Sequence, residues 1–183
     1  MSEAMAALMA EVREERLVLT NGFVSREGFG ARDREASFYM LGSMGLASSI
    51  AMGVALARPG GKVVALDGDG ALLTNLGALA FAGAHAPKNF YHVVFDNGVY
   101  ASTGNQRTIA SRVSLLALAG AAGYRCLPQA CDAAGVAARY RELLSAGGPG
   151  FLLVKVEPHD GSPSPRVSHT PVQIRDRFKG SFV

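Results

Sequence analysis

Residues 62–70 read KVVALDGDG and join a strand pattern to an acidic, glycine-rich loop. The uninterrupted apolar run from Val63 to Leu66 is typical of a strand in the middle of a parallel sheet, because such a strand is covered on both faces. Gly68 and Gly70 let the backbone turn sharply and approach a ligand closely, and Asp69 between them presents carboxylate oxygens. This stretch therefore predicts a buried strand that ends in a ligand-binding loop.

Strand and helix patterns alternate along the rest of the chain. Strands are predicted at 16–20, 37–40, 62–66, 91–95 and 151–156, and helices at 3–15, 46–57, 75–85 and 171–178, with a helix, a strand and a helix between 109 and 146. This alternation predicts an α/β fold with three layers, in which helices cover both faces of a doubly wound, mostly parallel sheet. No repeat or linker interrupts it, so residues 1–183 are expected to form a single domain with a C-terminal tail at 157–183. Small and apolar residues fill every side of the helix at 46–57, which should be buried all round.

Ligands of such sheets bind at the carboxyl ends of the strands. The candidate loops there are 20–22, 42–45, 68–70 and 97–99. Asn97 follows the next apolar strand, and the 26 residues between Gly70 and Asn97 leave room for one helix and one strand. Because sequential strands are often neighbours, Asn97 should lie beside Asp69. The Asp69 carboxylate, the Asn97 amide oxygen and a carbonyl near Val99 would form an oxygen-only cradle, which suits magnesium bridged to a diphosphate.

Two common nucleotide-binding motifs do not fit the loop at 68–70. A dinucleotide-binding loop requires a third glycine, as in G-x-G-x-x-G, but position 73 is Leu73. A P-loop requires Gly-Lys and then Ser or Thr, and no such sequence follows. A Gly-Asp-Gly turn is a weak signal by itself, so its pairing with Asn97 carries the prediction.

Composition and charge narrow the functional class. The hydrophobic fraction is 49% and the charged fraction 18%, which is typical of a globular domain with apolar surface to spare for another chain. The net charge of +3 is small and the Lys and Arg residues form no basic run, which argues against nucleic-acid binding. The first residues carry acids where a signal peptide carries bases, and the longest mostly apolar run, 46–57, is too short to span a bilayer. We therefore expect a cytoplasmic protein that does not bind a membrane.

Three segments, in the same order, resemble the thiamine diphosphate-dependent decarboxylases. They read FYMLGSMGLASSIAMGVALA (38–57), GDGALLTNLGALAFAGAHAPKNF (68–90) and DNGVYASTGNQ (96–106). Within that family, the chain is similar to the beta subunits of sulfopyruvate decarboxylases from about Leu17 to Phe178. The resemblance implies a carbon-carbon lyase that binds thiamine diphosphate and magnesium and releases CO2 from a 2-oxo acid.

The resemblance also implies roles for individual residues. The Asp69 and Asn97 side chains and the Val99 carbonyl match the magnesium ligands. The Gly42 carbonyl matches the acceptor for the pyrimidine 4′-amino group, and Met44 matches the apolar residue that supports the bent cofactor, so these two are the predicted catalytic positions. The cofactor-binding residues are predicted to be Gly42, Ser43, Met44, Gly68, Asp69, Gly70, Ala71, Asn97 and Val99.

The same resemblance implies that the chain works with a second one. The family activates the cofactor with a glutamate on a pyrimidine-binding domain, and no segment of these 183 residues resembles that domain. We therefore expect a hetero-oligomer with an alpha subunit that carries the glutamate, and a small anionic 2-oxo acid as substrate. A noncatalytic, cofactor-binding subunit with a regulatory role is the alternative from another functional class.

Sulfopyruvate and phosphonopyruvate both fit the resemblance as substrates. Leu46 stands where phosphonopyruvate decarboxylases tend to have His, and residues 102–106, STGNQ, are more similar to the sulfopyruvate enzymes than to SVGGQ. We therefore predict that sulfopyruvate is converted into sulfoacetaldehyde and CO2, with phosphonopyruvate as the alternative.

The four histidines are not assigned to the chemistry. His85 and His92 fall on a predicted helix and a predicted strand and are expected to be structural. His159 and His169 fall in the C-terminal tail, which is expected to be solvated, with a lid over the site as the alternative.

Two further groups of polar residues lie near the predicted site. Arg26 and Glu27 lie in the segment GFVSRE, which resembles a motif of the thiamine diphosphate-dependent family. The alternative interpretation is an ion pair on the surface of a helix. Tyr100, Ser102 and Gln106 follow the predicted magnesium ligands and are candidates for contact with the substrate.

Overall fold

A six-stranded parallel sheet forms the centre of the computed structural model, which describes residues 1–158 and 164–182. Its strands are β1 (Arg16–Leu19), β2 (Ser37–Tyr39), β3 (Val63–Gly68), β4 (Phe90–Asp96), β7 (Arg125–Cys126) and β8 (Gly150–Lys155), in the order β2-β1-β3-β4-β8-β7. Every neighbouring pair is parallel. A separate antiparallel hairpin joins β5 (Val99–Tyr100) to β6 (Gln106–Arg107).

The helices cover both faces of this sheet. They are α1 (Ser2–Glu11), α2 (Phe23–Ala31), α3 (Ala47–Ala57), α4 (Asp69–Thr74), α5 (Gly77–His85), α6 (Leu115–Ala121), α7 (Ala133–Ala146) and α8 (Pro171–Gly180). The first core lies under α1, α2 and α7, and the second under α3, α4, α5 and α6. α8 reaches both cores beside the edge strand β2, through Ile174 and Phe178. The predicted α/β fold with helices on both faces of a parallel sheet is therefore confirmed.

The two cores follow from the alternation of side chains along each strand. Val64 and Leu66 of β3 belong to the first core, whereas Val63 and Ala65 belong to the second, and all four are fully buried. A slip of β3 by one residue would exchange the two sets, so packing on both faces fixes the register of the sheet.

Some helices depart from their predicted bounds. α1 ends at Glu11 instead of Glu15, because the Arg13 N–H donates to Glu15 Oε2 at 2.6 Å and closes a turn. The predicted helix at 75–85 corresponds to α5, which begins at Gly77. A separate short helix, α4, precedes it, and Asn75 and Leu76 lie between α4 and α5. α2 was not predicted, because its sequence FVSREGFGA contains two glycines that weaken the helical signal.

The expectation that the helix at 46–57 is buried all round is wrong. α3 packs on β3 through the small residues Ala47, Ala51 and Ala55, which allow close contact on one side only. Leu46 and Leu56 remain 43% and 46% exposed, so the described part of the chain leaves apolar surface here uncovered.

Although α3 is apolar, no helix within the described ranges is long and apolar enough to cross a membrane.

Candidate functional site

An open cleft with a volume of about 80 Å³ lies at the carboxyl edge of β1, β3 and β4. Of the predicted site residues, the cleft brings together Met44, Gly68, Asp69, Gly70, Ala71, Asn97 and Val99. The loop after β1 closes one wall with Thr20, Asn21 and Gly22. The cleft therefore stands where a parallel sheet of this class is expected to bind a ligand.

Asp69 begins α4 directly after β3 and is only 2% exposed. Its Oδ2 accepts a hydrogen bond from Thr108 Oγ1 at 2.6 Å. Burial raises the pKa of the Asp69 carboxyl, while the Thr108 hydroxyl lowers the pKa and the charge of Asp96 raises it. Within residues 1–158 and 164–182, Asp69 has no Lys, Arg or His in an ion pair. A buried carboxylate with no cationic partner is costly, and a bound metal ion would remove that cost.

Asn97 follows β4 beside Asp69, because the register pairs Gly68 of β3 with Phe95 of β4. Its Oδ1 accepts a hydrogen bond from the Val99 N–H at 3.0 Å. This bond folds the loop so that the Asn97 amide oxygen and the Val99 backbone are close to each other. The predicted proximity of Asp69, Asn97 and Val99 is therefore present in the structure, and their role as metal ligands stays a prediction.

The loop after β4 is held on both sides. The Gly98 N–H donates to Asp96 Oδ1 at 3.1 Å, and Lys155 Nζ donates to Asp96 Oδ2 at 2.6 Å. The Thr108 N–H donates to the Gly98 carbonyl at 2.9 Å, so the β5–β6 hairpin closes back onto the start of the loop. Thr108 thus donates hydrogen bonds to both Asp69 and Gly98, through its hydroxyl and its backbone N–H respectively.

Gly70 is needed because Tyr100 packs against it. A Cβ atom at position 70 would collide with the Tyr100 ring. The Tyr100 ring thus occupies the space that a side chain at position 70 would need, and the close approach of this backbone to a ligand stays a prediction.

The loop at 42–45 separates the other predicted site residues. Met44 lines the cleft, whereas Gly42 and Ser43 are exposed and line a neighbouring hollow. The turn requires left-handed backbone at Ser43 (φ 58°) and Gly45 (φ 87°). Asn75 Nδ2, at the break between α4 and α5, donates to the Gly45 carbonyl at 3.0 Å and anchors the loop. The roles assigned to Gly42 and Ser43 stay predictions.

Sequence reasoning placed the loop 20–22 at this edge but missed individual residues of the site. Thr20 is 2% exposed, and neither its hydroxyl nor the buried Asn21 Oδ1 has a hydrogen-bond partner within the described residues. Both residues line the cleft. Thr108 had no local signal either, because its contact with Asp69 spans 39 positions in sequence.

The histidines are placed as follows. His92 is fully buried in β4 among the rings of Phe90, Tyr124 and Phe151, and its Nε2 lies 3.4 Å from Asp67 Oδ2. His85, at the end of α5, is exposed. Neither residue lines the cleft, which agrees with a structural role. His159 lies outside the described residues.

The expectation of a solvated tail is wrong for His169. Its Nε2 lies 2.9 Å from Asp33 Oδ2, and its ring packs edge-on against Phe29 with 5.4 Å between centroids. Arg177 of α8 binds the same Asp33 oxygen at 2.8 Å. An ion pair and an aromatic contact therefore hold this segment against the end of α2.

Glu27 does not fit the alternative of a surface ion pair, because it is only 3% exposed. Its Oε1 and Oε2 accept hydrogen bonds from Ser164 N and Ser164 Oγ, both at 3.1 Å. Arg26 Nε donates to the Ser164 carbonyl at 2.6 Å. α2 thus fixes the tail beside the cleft.

The substrate-contact candidates divide into two groups. Tyr100 and Ser102 line the cleft. Gln106 instead bonds to Thr103, whose carbonyl accepts from Gln106 Nε2 at 2.8 Å.

Comparison with known families identifies the fold. Residues 24–154 match the family described as thiamine pyrophosphate enzyme, C-terminal TPP binding domain. The chain belongs to this family. The matched span includes the cleft residues from β3, β4 and their loops, so the predicted thiamine diphosphate family is confirmed.

Similar proteins of known sequence are decarboxylases. The chain is 42% identical over 179 residues to a phosphonopyruvate decarboxylase of Streptomyces viridochromogenes, covering 96% of this chain and 44% of that protein. It is 39% identical over 185 residues to sulfopyruvate decarboxylase subunit beta of Methanococcus maripaludis, covering 98% of this chain and 96% of the subunit. The chain thus spans less than half of the first relative and nearly all of the second.

A solved structure of the same fold is benzoylformate decarboxylase from Polynucleobacter necessarius. The TM-score is 0.69 at 18% identity, covering 85% of this chain and 33% of that one. At this identity the likeness concerns the fold alone.

The residues of the cleft fit thiamine diphosphate with magnesium. The metal-binding side would offer one buried carboxylate, one amide oxygen and one carbonyl, which are hard oxygen ligands. No cluster of three His, Cys, Asp or Glu side chains occurs among the described residues, so phosphate oxygens and water would complete the coordination. The Thr20 hydroxyl has no hydrogen-bond partner within residues 1–158 and 164–182, and the backbone of Gly70 also lines the cleft. Both groups suit a ligand rich in acceptor oxygens.

Replacing Met44 with alanine is expected to lower turnover about 10- to 100-fold while changing thiamine diphosphate affinity by less than about threefold. Met44 is 39% exposed, so little stability should be lost, and the residues around Asp69 remain. Turnover per bound cofactor, measured after addition of the predicted alpha subunit, separates the two effects. Leu76→Ala, at a residue that is 37% exposed and outside the cleft, is the matched control. A loss confined to cofactor affinity would contradict the role that the resemblance predicts for Met44, which is to support the bent cofactor.

Proposed function

We propose that this chain is the beta subunit of a thiamine diphosphate- and magnesium-dependent decarboxylase that converts sulfopyruvate into sulfoacetaldehyde and CO2. The observation that carries the proposal is the cleft, in which Asp69, Asn97 and Val99 meet at the edge of a thiamine diphosphate-binding fold. The similarity to nearly the whole length of the Methanococcus maripaludis subunit supports the substrate and the subunit arrangement.

The chain's contribution to the reaction is to bind and orient the cofactor. Thiamine diphosphate, when bound, would supply a carbon nucleophile and an electron sink for the loss of CO2. Asp69, Asn97 and the Val99 carbonyl would hold magnesium, and the backbone of Gly70 and Ala71 would hold diphosphate oxygens.

Two residues of the 42–45 loop would orient the rest of the cofactor. The Gly42 carbonyl would accept a hydrogen bond from the pyrimidine amino group. Met44 would support the bent conformation that brings the reacting groups of the cofactor together, which is a proximity effect. Asn75 contributes indirectly, since its bond to Gly45 fixes the turn that aims Met44 into the cleft.

A partner subunit would supply the catalytic glutamate. The exposed apolar residues Leu41, Met44 and Leu46, at 55%, 39% and 43%, lie in and beside the 42–45 loop. Such a cluster next to an open cleft suits coverage by another chain. With the partner in place, the cofactor would lie between the two subunits and out of contact with bulk water.

Phosphonopyruvate is the second candidate substrate. The 42% identity to the phosphonopyruvate decarboxylase of Streptomyces viridochromogenes favours it. Both substrates carry a tetrahedral oxyanion on carbon 3 of pyruvate and differ by one charge, so the same fold can serve either.

The substrate assignment predicts a higher kcat/KM for sulfopyruvate than for phosphonopyruvate, by about tenfold or more, which corresponds to about 1.4 kcal/mol of transition-state discrimination. The test is to co-purify the chain with an alpha subunit encoded beside it and to assay both acids, with pyruvate as the control that lacks the oxyanion. A preference for phosphonopyruvate would overturn the substrate and leave the cofactor assignment in place.

A further inference from the structure

A second hollow adjoins the cofactor cleft and contains two arginines. It is lined by Arg26 of α2 and Arg166 of the tail, together with Met40, Leu41, Val167 and Ser102. We call it the arginine hollow. Within residues 1–158 and 164–182, its lining includes these two arginines and no Asp or Glu.

The arginine hollow and the cleft share a wall. Asn21, Gly22, Phe23 and Ser102 line both. A small molecule whose reacting carbon lies in the cleft can therefore extend a neighbouring group into the hollow. Ser102 stands at the boundary and offers a hydroxyl to either side.

The contacts that dock the tail position Arg26 and the segment that leads to Arg166. The bond from Arg26 Nε to the Ser164 carbonyl ties the guanidinium to the tail two residues before Arg166. The buried Glu27 accepts both Ser164 donors and thus fixes this segment. Gly30 allows the close approach, since a Cβ at that position would lie 3.0 Å from Ser164 Oγ. Arg26 is consequently tied to the docked tail, and Arg166 lines the same hollow two residues after Ser164.

We propose that Arg26 and Arg166 form a subsite for a tetrahedral oxyanion, namely the sulfonate or phosphonate on carbon 3 of the substrate. Guanidinium groups present several N–H donors in a fixed plane that matches such an anion. Met40, Leu41 and Val167 form the apolar part of the lining beside these guanidinium groups. The inference rests on the proposed function for the identity of the substrate, whereas the anion site itself depends only on residues of this chain.

Binding of unreactive probes tests the subsite independently of catalysis. 3-Sulfopropanoate and 3-phosphonopropanoate carry the oxyanion but lack the ketone, and nuclear magnetic resonance titration of the full chain measures their Kd. Arg166→Gln is expected to raise Kd about 10- to 100-fold, the range for loss of a charge-assisted hydrogen bond. Arg166→Lys should retain part of the affinity. The probe with the lower Kd indicates whether the arginine hollow prefers a sulfonate or a phosphonate.

Arg125→Gln is the matched control, since Arg125 is an exposed arginine on β7, at the opposite edge of the sheet from β2. It should bind both probes as the unmodified chain does. Arg26→Gln should weaken binding as well, and thermal melting of each variant will show that the fold is kept. Failure of the unmodified chain to bind either probe, or equal binding by Arg166→Gln, would overturn the subsite.

The two-subunit enzyme provides a second readout. Arg166→Gln should lower kcat/KM for the preferred acid about 10- to 100-fold while leaving thiamine diphosphate affinity unchanged. If the probes bind in a way that depends on Arg166 but the two-subunit enzyme decarboxylates neither acid, the proposed function is contradicted and the subsite is supported. Decarboxylation that is insensitive to Arg166 would remove the subsite and keep the function.

Discussion

Replacing Asp69 with alanine is expected to abolish magnesium-dependent binding of thiamine diphosphate, with affinity weakened at least about 100-fold. Asp69 supplies the one carboxylate among the three proposed ligands, so its loss removes the only negative charge that the chain itself contributes to the coordination. The diphosphate would then have to bind at the 68–70 loop without the magnesium ion that neutralises its charge. Within residues 1–158 and 164–182, Asp69 is the only carboxylate that lines the cleft, and the neighbouring Asp96 is held by Lys155 and the Gly98 N–H.

The fold should survive this substitution. The raised pKa of Asp69 means that its charged form is disfavoured in the chain by burial, so removing the carboxylate relieves a cost. The Thr108 hydroxyl loses its acceptor, which acts in the opposite direction. These two effects oppose each other, and the melting temperature without cofactor should change by only a few degrees.

Calorimetric titration with thiamine diphosphate, with and without magnesium, measures the effect. Asp176→Ala, at an exposed carboxylate on α8, controls for the loss of a negative charge. Affinity in Asp69→Ala equal to that of the unmodified chain would remove Asp69 from the metal site.

The second large effect concerns the partner. The purified chain alone should have no measurable decarboxylase activity, at least about 10²-fold below the activity after addition of the alpha subunit. The reason is that none of the cleft residues is a glutamate in the described part of the chain, whereas the proposed chemistry needs one against the pyrimidine ring.

Steady-state assays of the chain, the partner and their mixture, all with saturating thiamine diphosphate and magnesium, test this dependence. The cofactor-binding variant Asp69→Ala, mixed with the same partner, should remain inactive and thereby show that the gained activity uses this cleft. Full activity of the chain by itself would refute the two-subunit proposal.

Local patterns were sufficient to predict the strands that position the site. The apolar runs of β3, β4 and β8 are buried on both faces, so their sequences carry a strong signal without any tertiary information. The link between Asp69 and Asn97 also follows from sequence, because it depends only on two consecutive strands being neighbours. For this reason the central part of the candidate site could be predicted.

The features of the site and fold that the sequence did not predict depend on contacts between segments that are distant in sequence. Thr108 bonds to Asp69 across 39 positions, and Ser164 bonds to Glu27 across 137. The break between α4 and α5 coincides with the bond from Asn75 to Gly45, 30 positions away. The exposed side of α3 could not be predicted from its composition, since apolar residues are equally suited to a core and to an interface.

The parallel pairing of β3 with β4 has a consequence for protein engineering. Six consecutive residue pairs, from Val63 with Phe90 to Gly68 with Phe95, set how far each strand runs before its loop begins. Displacing one strand by two residues would preserve its inside-outside pattern but move Asp69 about 6.6 Å relative to Asn97, at about 3.3 Å per residue. Chimeras between homologues should therefore exchange β3, α4, α5 and β4 as one block. Crossovers within that block risk a well-folded chain whose metal ligands no longer meet.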